Sequence, residues 1–195
     1  MSATAIEIYT EMTPNPESLK FVTNRHILPN FQLDFRTKEM SDGSALAKTL
    51  FEIPFVSGVF IANNFVTITK KTECDWFEIT PGLKDALRKF LQSGAKPVDD
   101  VLLPKDVLNE QHSASANENP EAKIKDLLDK YVKPAIQNDG GHIEFKSFEK
   151  GVVKLTLQGS CSGCPSSAIT LKSGIEGLLK RMIPEVEAVE AEAAP

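Results

Sequence analysis

Residues 138–167, NDGGHIEFKSFEKGVVKLTLQGSCSGCPSS, decide how this chain folds. Asn138-Asp139-Gly140-Gly141 has the composition of a turn, because Asn and Asp tolerate left-handed backbone and glycine adopts it without a Cβ clash. Residues 142–148 and 152–157 are two strand-like runs joined around Lys150-Gly151, the pattern of a β-hairpin. A short loop follows, Gly159-Ser-Cys161-Ser-Gly-Cys164, and Pro165 suits the first position of a helix. That helix is expected to place Ala168, Leu171, Ile175, Leu178 and Met182 on one face and to end before Pro184. Upstream, Asn119 as N-cap and Pro120 open a helix carrying Ile124, Leu127, Leu128 and Tyr131, which Pro134 is expected to kink or end. The order is helix, hairpin, thiol loop, helix, with residues 185–192 expected as a short strand and a frayed end.

Cys161 and Cys164 carry the distinctive chemistry. Two thiols flanking Ser162-Gly163 in a tight loop can face one metal centre, and the glycine permits the sharp turn. At a helix start, unpaired amides and the positive end of the dipole lower a thiol pKa from its free value of about 8.5 and stabilise metal-thiolate assemblies. Structural zinc and the common iron-sulfur clusters take about four protein ligands, and this loop supplies half of them. Cys74, beside Trp76 and Phe77, reads as a small packed residue. The simplest completion is a second copy of the chain, so metal-dependent homodimerisation is expected.

His26 and His142 read as ordinary residues at strand edges, and His112 as a solvated linker residue. Lys172, Lys180 and Arg181 read as a solvated helix face. A C-x-x-C pair alone also suits a thiol-disulfide oxidoreductase, with Cys161 attacking and Cys164 resolving, or a structural zinc site closing a dimer. The hairpin before the loop and the short stretch behind the last helix speak against a thioredoxin-like unit.

With 41% hydrophobic and 25% charged residues among 195, the composition is that of a globular chain with material for a core. Lys+Arg of 22 against Asp+Glu of 27 gives a net charge of -5, which offers no long-range attraction to nucleic acid or anionic lipid. Neither is expected as a partner. Three cysteines are too few for a disulfide framework and suit a reducing compartment. The first residues, MSATAIEIY, have no leader-like pattern, so a cytoplasmic location is expected. Residues 53–69 are free of charge, but Pro54, Gly58 and Asn63-Asn64 break them into two strands and a turn rather than a membrane span.

Two small α+β domains joined by a flexible linker are expected: residues 1–95, linker 96–119 and residues 120–195. In the first, alternating runs at 6–9, 18–22 and 31–35 read as strands, 44–51 as a helix, and a second helix is read from Thr80 as N-cap with Pro81 at its first position. That helix aligns Leu83, Leu87, Phe90 and Leu91 and stops at Gly94. The linker is polar and punctuated by Pro97 and Pro104, with an r.m.s. span of about 25–30 Å if flexible.

Asn138-Asp-Gly-Gly-His-Ile-Glu-Phe followed by Gly159-Ser-Cys-Ser-Gly-Cys-Pro-Ser-Ser closely resembles the C-terminal domain of the NifU/Nfu iron-sulfur scaffold family. Thr13-Pro-Asn-Pro-Glu-Ser-Leu-Lys-Phe21, with the runs at 58–61 and 65–69, resembles the N-terminal domain of Nfu proteins. The resemblance implies a non-enzymatic carrier of a labile cluster, usually 4Fe-4S with 2Fe-2S as the other form, shared between the C-x-x-C pairs of two subunits. Cys161 and Cys164 match the family's ligand positions, and Cys74 has no counterpart there. Apo iron-sulfur proteins as clients and an upstream assembly scaffold as donor are the implied partners. The N-terminal domain is similar to a module for recognising clients or assembly factors, which the linker would hold at raised effective concentration. The scaffold and ferredoxin-like domains of longer NifU proteins have no counterpart in this sequence, so carriage rather than de novo assembly is implied.

Overall fold

The computed structural model describes residues 5–99, Leu102, 120–160 and 165–193. The fold is α+β, as the sequence leads one to expect, and the chain divides into two compact units, Met1–Lys105 and Asp106–Pro195.

The first unit is a five-stranded antiparallel sheet in the order β1-β2-β5-β4-β3, formed by β1 (Ile8–Met12), β2 (Ser18–Thr23), β3 (Leu28–Phe35), β4 (Val56–Asn63) and β5 (Phe65–Lys70). The charge-free stretch is the β4–β5 hairpin, turning through Asn63 at φ 38 and Asn64, so that Ala62 faces Phe65. Helices α1 (Ala45–Phe51) and α2 (Trp76–Ser93) share the core of this unit. Leu46, Leu50, Leu83 and Leu87 pack with Phe21, Ile61, Val66 and Ile68, all fully buried. Ser44 caps α1, accepting from the Ala47 N–H at 3.1 Å. Val22, Phe60, Ala62 and Phe65 make a smaller separate cluster, which the Lys20 ammonium covers 4.7 Å from the Phe65 ring centre while pairing with Glu11 at 2.9 Å.

α2 begins at Trp76 rather than after Thr80. The Asp75 carboxylate caps the Phe77 N–H at 2.7 Å, and the Trp76 indole donates to the Pro16 carbonyl at 2.9 Å. These contacts add a turn, leaving Pro81 inside the helix. Gly94 ends α2 at φ 72. The stretch read as linker begins as part of this unit: Pro97 accepts from the Leu46 N–H and the Ser44 hydroxyl, Val98 joins the core, and Leu102 packs on Gly43. Residues 100, 101 and 103–119, including His112, lie outside the described residues.

The second unit runs α3 (Pro120–Leu127), a π turn (Leu128–Val132), α4 (Lys133–Asn138), β6 (Gly141–Glu149), β7 (Val152–Gly159), α5 (Pro165–Met182) and β8 (Ala188–Ala193). Pro134 does not end the first helix. The π turn, in which the Lys133 N–H reaches the Leu128 carbonyl, shifts the register so that the proline falls in the first turn of α4, where its missing N–H costs little. The β6–β7 hairpin turns through Lys150 at φ 49 and Gly151 at φ 80. α5 buries Ile175 and Leu179, with Leu171 and Leu178 partly covered, whereas Met182 is exposed and Ile183 takes the inward place. β8 pairs with β7 in parallel, from Val152 opposite Ala188 to Leu157 opposite Ala193. β7, α5 and β8 therefore form a crossover unit, so a strand does follow the helix behind the thiol loop.

Candidate metal centre

Cys161 and Cys164 fall in residues 161–164, outside the described residues, and the frame consists of the two elements that bracket them. On one side β7 ends at Gly159, φ 69, and Ser160 follows, 1% exposed. The Ser160 hydroxyl donates to the Asp139 carbonyl at 2.5 Å and its N–H to the Gly140 carbonyl at 3.3 Å. The end of β7 is thereby stapled to the Asn138–Gly141 turn. That turn is set in its own right: the Asp139 N–H bonds the Ala135 carbonyl, the Gly140 N–H bonds the Gln137 carbonyl, and Gly140 sits at φ 77. On the other side Pro165 opens α5, an 18-residue helix whose first turn has no intrahelical acceptors for its amides. Covalent geometry keeps each cysteine one peptide from a fixed anchor.

His142 lies on β6 opposite Gln158, one residue from the Gly141–Gly159 pair. It is buried rather than a surface residue at a strand edge. Burial pushes its pKa down to about 4, with the Lys133 ammonium acting in the same direction and the Asp129 carboxylate against it. The imidazole is thus neutral at pH 7. Among the described residues, the buried Gln158 Oε1 has no hydrogen-bond partner. His26 is exposed, its Nδ1 3.0 Å from Asn63 Oδ1. Cys74 belongs to the first unit, partly buried against its core with Trp76. Among the described residues no three His, Cys, Asp or Glu side chains gather in a way that could hold a metal ion.

The positions read as a solvated helix face are only partly idle. Lys180 bonds Glu176 at 2.5 Å, and the second Glu176 oxygen accepts the Val189 N–H at 3.2 Å, tying α5 to β8. These bonds hold the Glu176 carboxyl below its usual range, Lys180 first. Ser160, Gln158 and Glu176 are the residues that sequence reasoning missed. The only signal was the placement of Ser160 between a strand-ending glycine and the first cysteine. No described helix is long and apolar enough to cross a membrane.

Residues 8–94 match the family model of the Nfu/NifU scaffold protein N-terminal domain, and residues 124–190 match that of the NifU-like domain. A human protein, "NFU1 iron-sulfur cluster scaffold homolog, mitochondrial", is 41% identical over 184 residues, which cover 94% of this chain and 70% of that protein. The Drosophila sechellia protein of the same name is also 41% identical, covering 94% and 64%. "NifU-like protein 4, mitochondrial" of Arabidopsis thaliana is 40% identical over 189 residues, covering 95% and 65%. The chain thus spans only about two thirds of the length of these relatives. A solution NMR structure of a NifU-like protein from Saccharomyces cerevisiae aligns with a TM-score of 0.45 at 27% identity, over 51% of this chain and 90% of that one. The relatives' names overturn the cytoplasmic expectation, since all of these curated relatives are named mitochondrial. That expectation rested on the first residues of a stretch shorter than the relatives, and such residues carry no information about compartment.

Proposed function

The chain belongs to the Nfu/NifU iron-sulfur scaffold family, and from that premise we propose that it is a mitochondrial carrier of iron-sulfur clusters rather than an enzyme. The cargo is held by the thiolates of Cys161 and Cys164 from two copies of the chain and passed to apo-proteins, with an upstream assembly scaffold as donor. Four thiolates accept either a 4Fe-4S or a 2Fe-2S cluster, and 4Fe-4S is the form proposed. The N-terminal unit is assigned the recognition of clients or assembly factors.

The observation that supports this most is the position of the C-x-x-C segment. It joins β7 to α5 within the NifU-like match, between the Ser160–Asp139 staple and a helix start. Its residues bridge a strand end and a helix N-terminus, where amide dipoles stabilise thiolates and an anionic cluster. A cargo shared by two short loops stays within reach of an acceptor, unlike one enclosed by four ligands of a single core.

Anaerobic reconstitution with iron and sulfide tests the assignment. Cys161→Ser and Cys164→Ser should each abolish cluster retention and cluster-linked dimerisation while both units stay folded, and Cys74→Ser should retain both properties. A Cys164→Ser protein with a full cluster complement refutes the ligand assignment.

A further inference from the structure

We propose that one face of α2, formed by Phe77, Pro81, Lys84 and Arg88, docks an acidic amphipathic segment of a partner protein. The proposal rests on the assignment of partner recognition to the N-terminal unit and specifies the face and the partner's chemistry. The spacing i, i+4, i+7, i+11 puts these residues along one side of the helix, about 16 Å from end to end. Phe77 is 89% exposed, and with Trp76, Thr80, Pro81 and Lys84 it lines an open groove of about 530 Å³. The groove wall is fixed, because the Trp76 indole is hydrogen-bonded to Pro16 and the Lys70 ammonium lies 5.9 Å from its ring centre.

Three features of this face work against the stability of the helix that carries it. A large aromatic side chain stands in water. Pro81 offers no N–H to the Phe77 carbonyl. Lys84 and Arg88 are like charges one turn apart, and among the described residues neither takes part in an ion pair. Of the acids on α2, Asp85 pairs with Lys89 at 2.8 Å, and Glu78, six residues before Lys84, falls on a different side of the helix.

Complementarity decides the occupant. Phe77 and Pro81 call for an apolar side chain, and one turn further along Lys84 and Arg88 call for carboxylates at helical spacing. A polyanion such as nucleic acid would leave the apolar end unfilled and would meet a chain of net charge -5.

The test uses the full chain, isotope-labelled and free of cluster, titrated with a synthetic helical peptide. The peptide carries Leu opposite Phe77 and Pro81 and Glu opposite Lys84 and Arg88, and its control carries Lys in place of Glu. Amide shifts should centre on residues 76–88 with the Glu peptide only. Phe77→Ala should weaken binding by about tenfold or more. Lys84→Glu with Arg88→Glu should weaken the Glu peptide similarly and admit the Lys peptide. The proposal is overturned by no binding at about millimolar peptide, by shifts centred elsewhere, or by insensitivity to the charge reversal. It is equally overturned if the same face responds to phosphatidylserine vesicles but not to the peptide, or to protein concentration alone. Because the protein is cluster-free, this result and the fate of the Cys161 and Cys164 assignment are read independently.

Discussion

Ser160→Ala removes the hydroxyl that staples the end of β7 to the Asn138–Gly141 turn. Ser160 is 1% exposed and its hydroxyl lies 2.5 Å from the carbonyl of the half-buried Asp139, so the bond is well formed and shielded on the donor side. A neutral hydrogen bond contributes roughly 0.5–1.5 kcal/mol net, and a buried acceptor left without its donor costs about 1–3 kcal/mol. The Ser160 N–H to Gly140 bond survives the substitution and limits the loss. The expected destabilisation of the second unit is therefore about 1–2 kcal/mol, roughly 5–30-fold in its opening equilibrium. Amide hydrogen exchange reads this directly, with faster exchange across β7 and the turn and none across the first unit. The chain supplies an internal control, since its one tryptophan, Trp76, lies in the first unit and its fluorescence should melt unchanged. A reconstituted Ser160→Ala protein should also release its cluster faster, because one anchor of the cysteine segment is loosened. Exchange altered by less than about 0.3 kcal/mol would refute the staple as a structural element.

Acid should weaken the second unit through His142. Its folded pKa of about 4 lies below the unfolded value of about 6.5, so the unfolded state binds more protons between the two. Stability should be flat above pH 6.5, fall by up to about 1.4 kcal/mol per pH unit toward pH 4 and level off below, with Lys133 widening and Asp129 narrowing that window. His142→Gln should flatten that segment in urea melts followed by circular dichroism. Gly151→Ala puts a Cβ at φ 80 and 2.8 Å from Glu187 Cγ, where Gly151 also accepts the Glu187 and Ala188 N–H groups. A lower Tm of the second unit, by about 1–2 kcal/mol of strain, and faster exchange at Ala188 should result. Pro81→Ala should instead raise the stability of the first unit, by at most about 3 kcal/mol, seen as a later Trp76 fluorescence transition.

What the sequence made legible follows from local chemistry. The β6–β7 hairpin, the Asn63-Asn64 turn, the helix over 44–51 and the Gly94 stop all depend on a few adjacent residues, and each is found where those residues indicate. The misplaced start of α2 has a local and a tertiary cause: Asp75 is a cap signal passed over in favour of Thr80, and the Trp76 bond to Pro16, distant in sequence, had no local mark. The short strand expected within 185–192 is found as β8, but its parallel pairing with β7 and the Glu176 bond to Val189 had no local signal. Alternation along β6 sets His142 on the face opposite Ile143, yet both are buried, so its burial had no signal in the strand pattern. Of the candidate centre, Cys161 and Cys164 were nominated from spacing and resemblance and lie outside the described residues, whereas the hydroxyl that fixes the strand end before them was not legible, because a serine hydroxyl carries no mark of which carbonyl it will meet.

Native mass spectrometry of protein purified without oxygen and reconstituted with iron and sulfide reports subunit number, metal identity and thiol oxidation in one spectrum. Two chains carrying four irons and four sulfides, lost together in Cys161→Ser, are expected of a carrier that shares its cargo between two copies. A metal-free monomer lighter by two hydrogens would indicate a redox dithiol, and a zinc-bound dimer a structural clip; either would overturn cluster carriage.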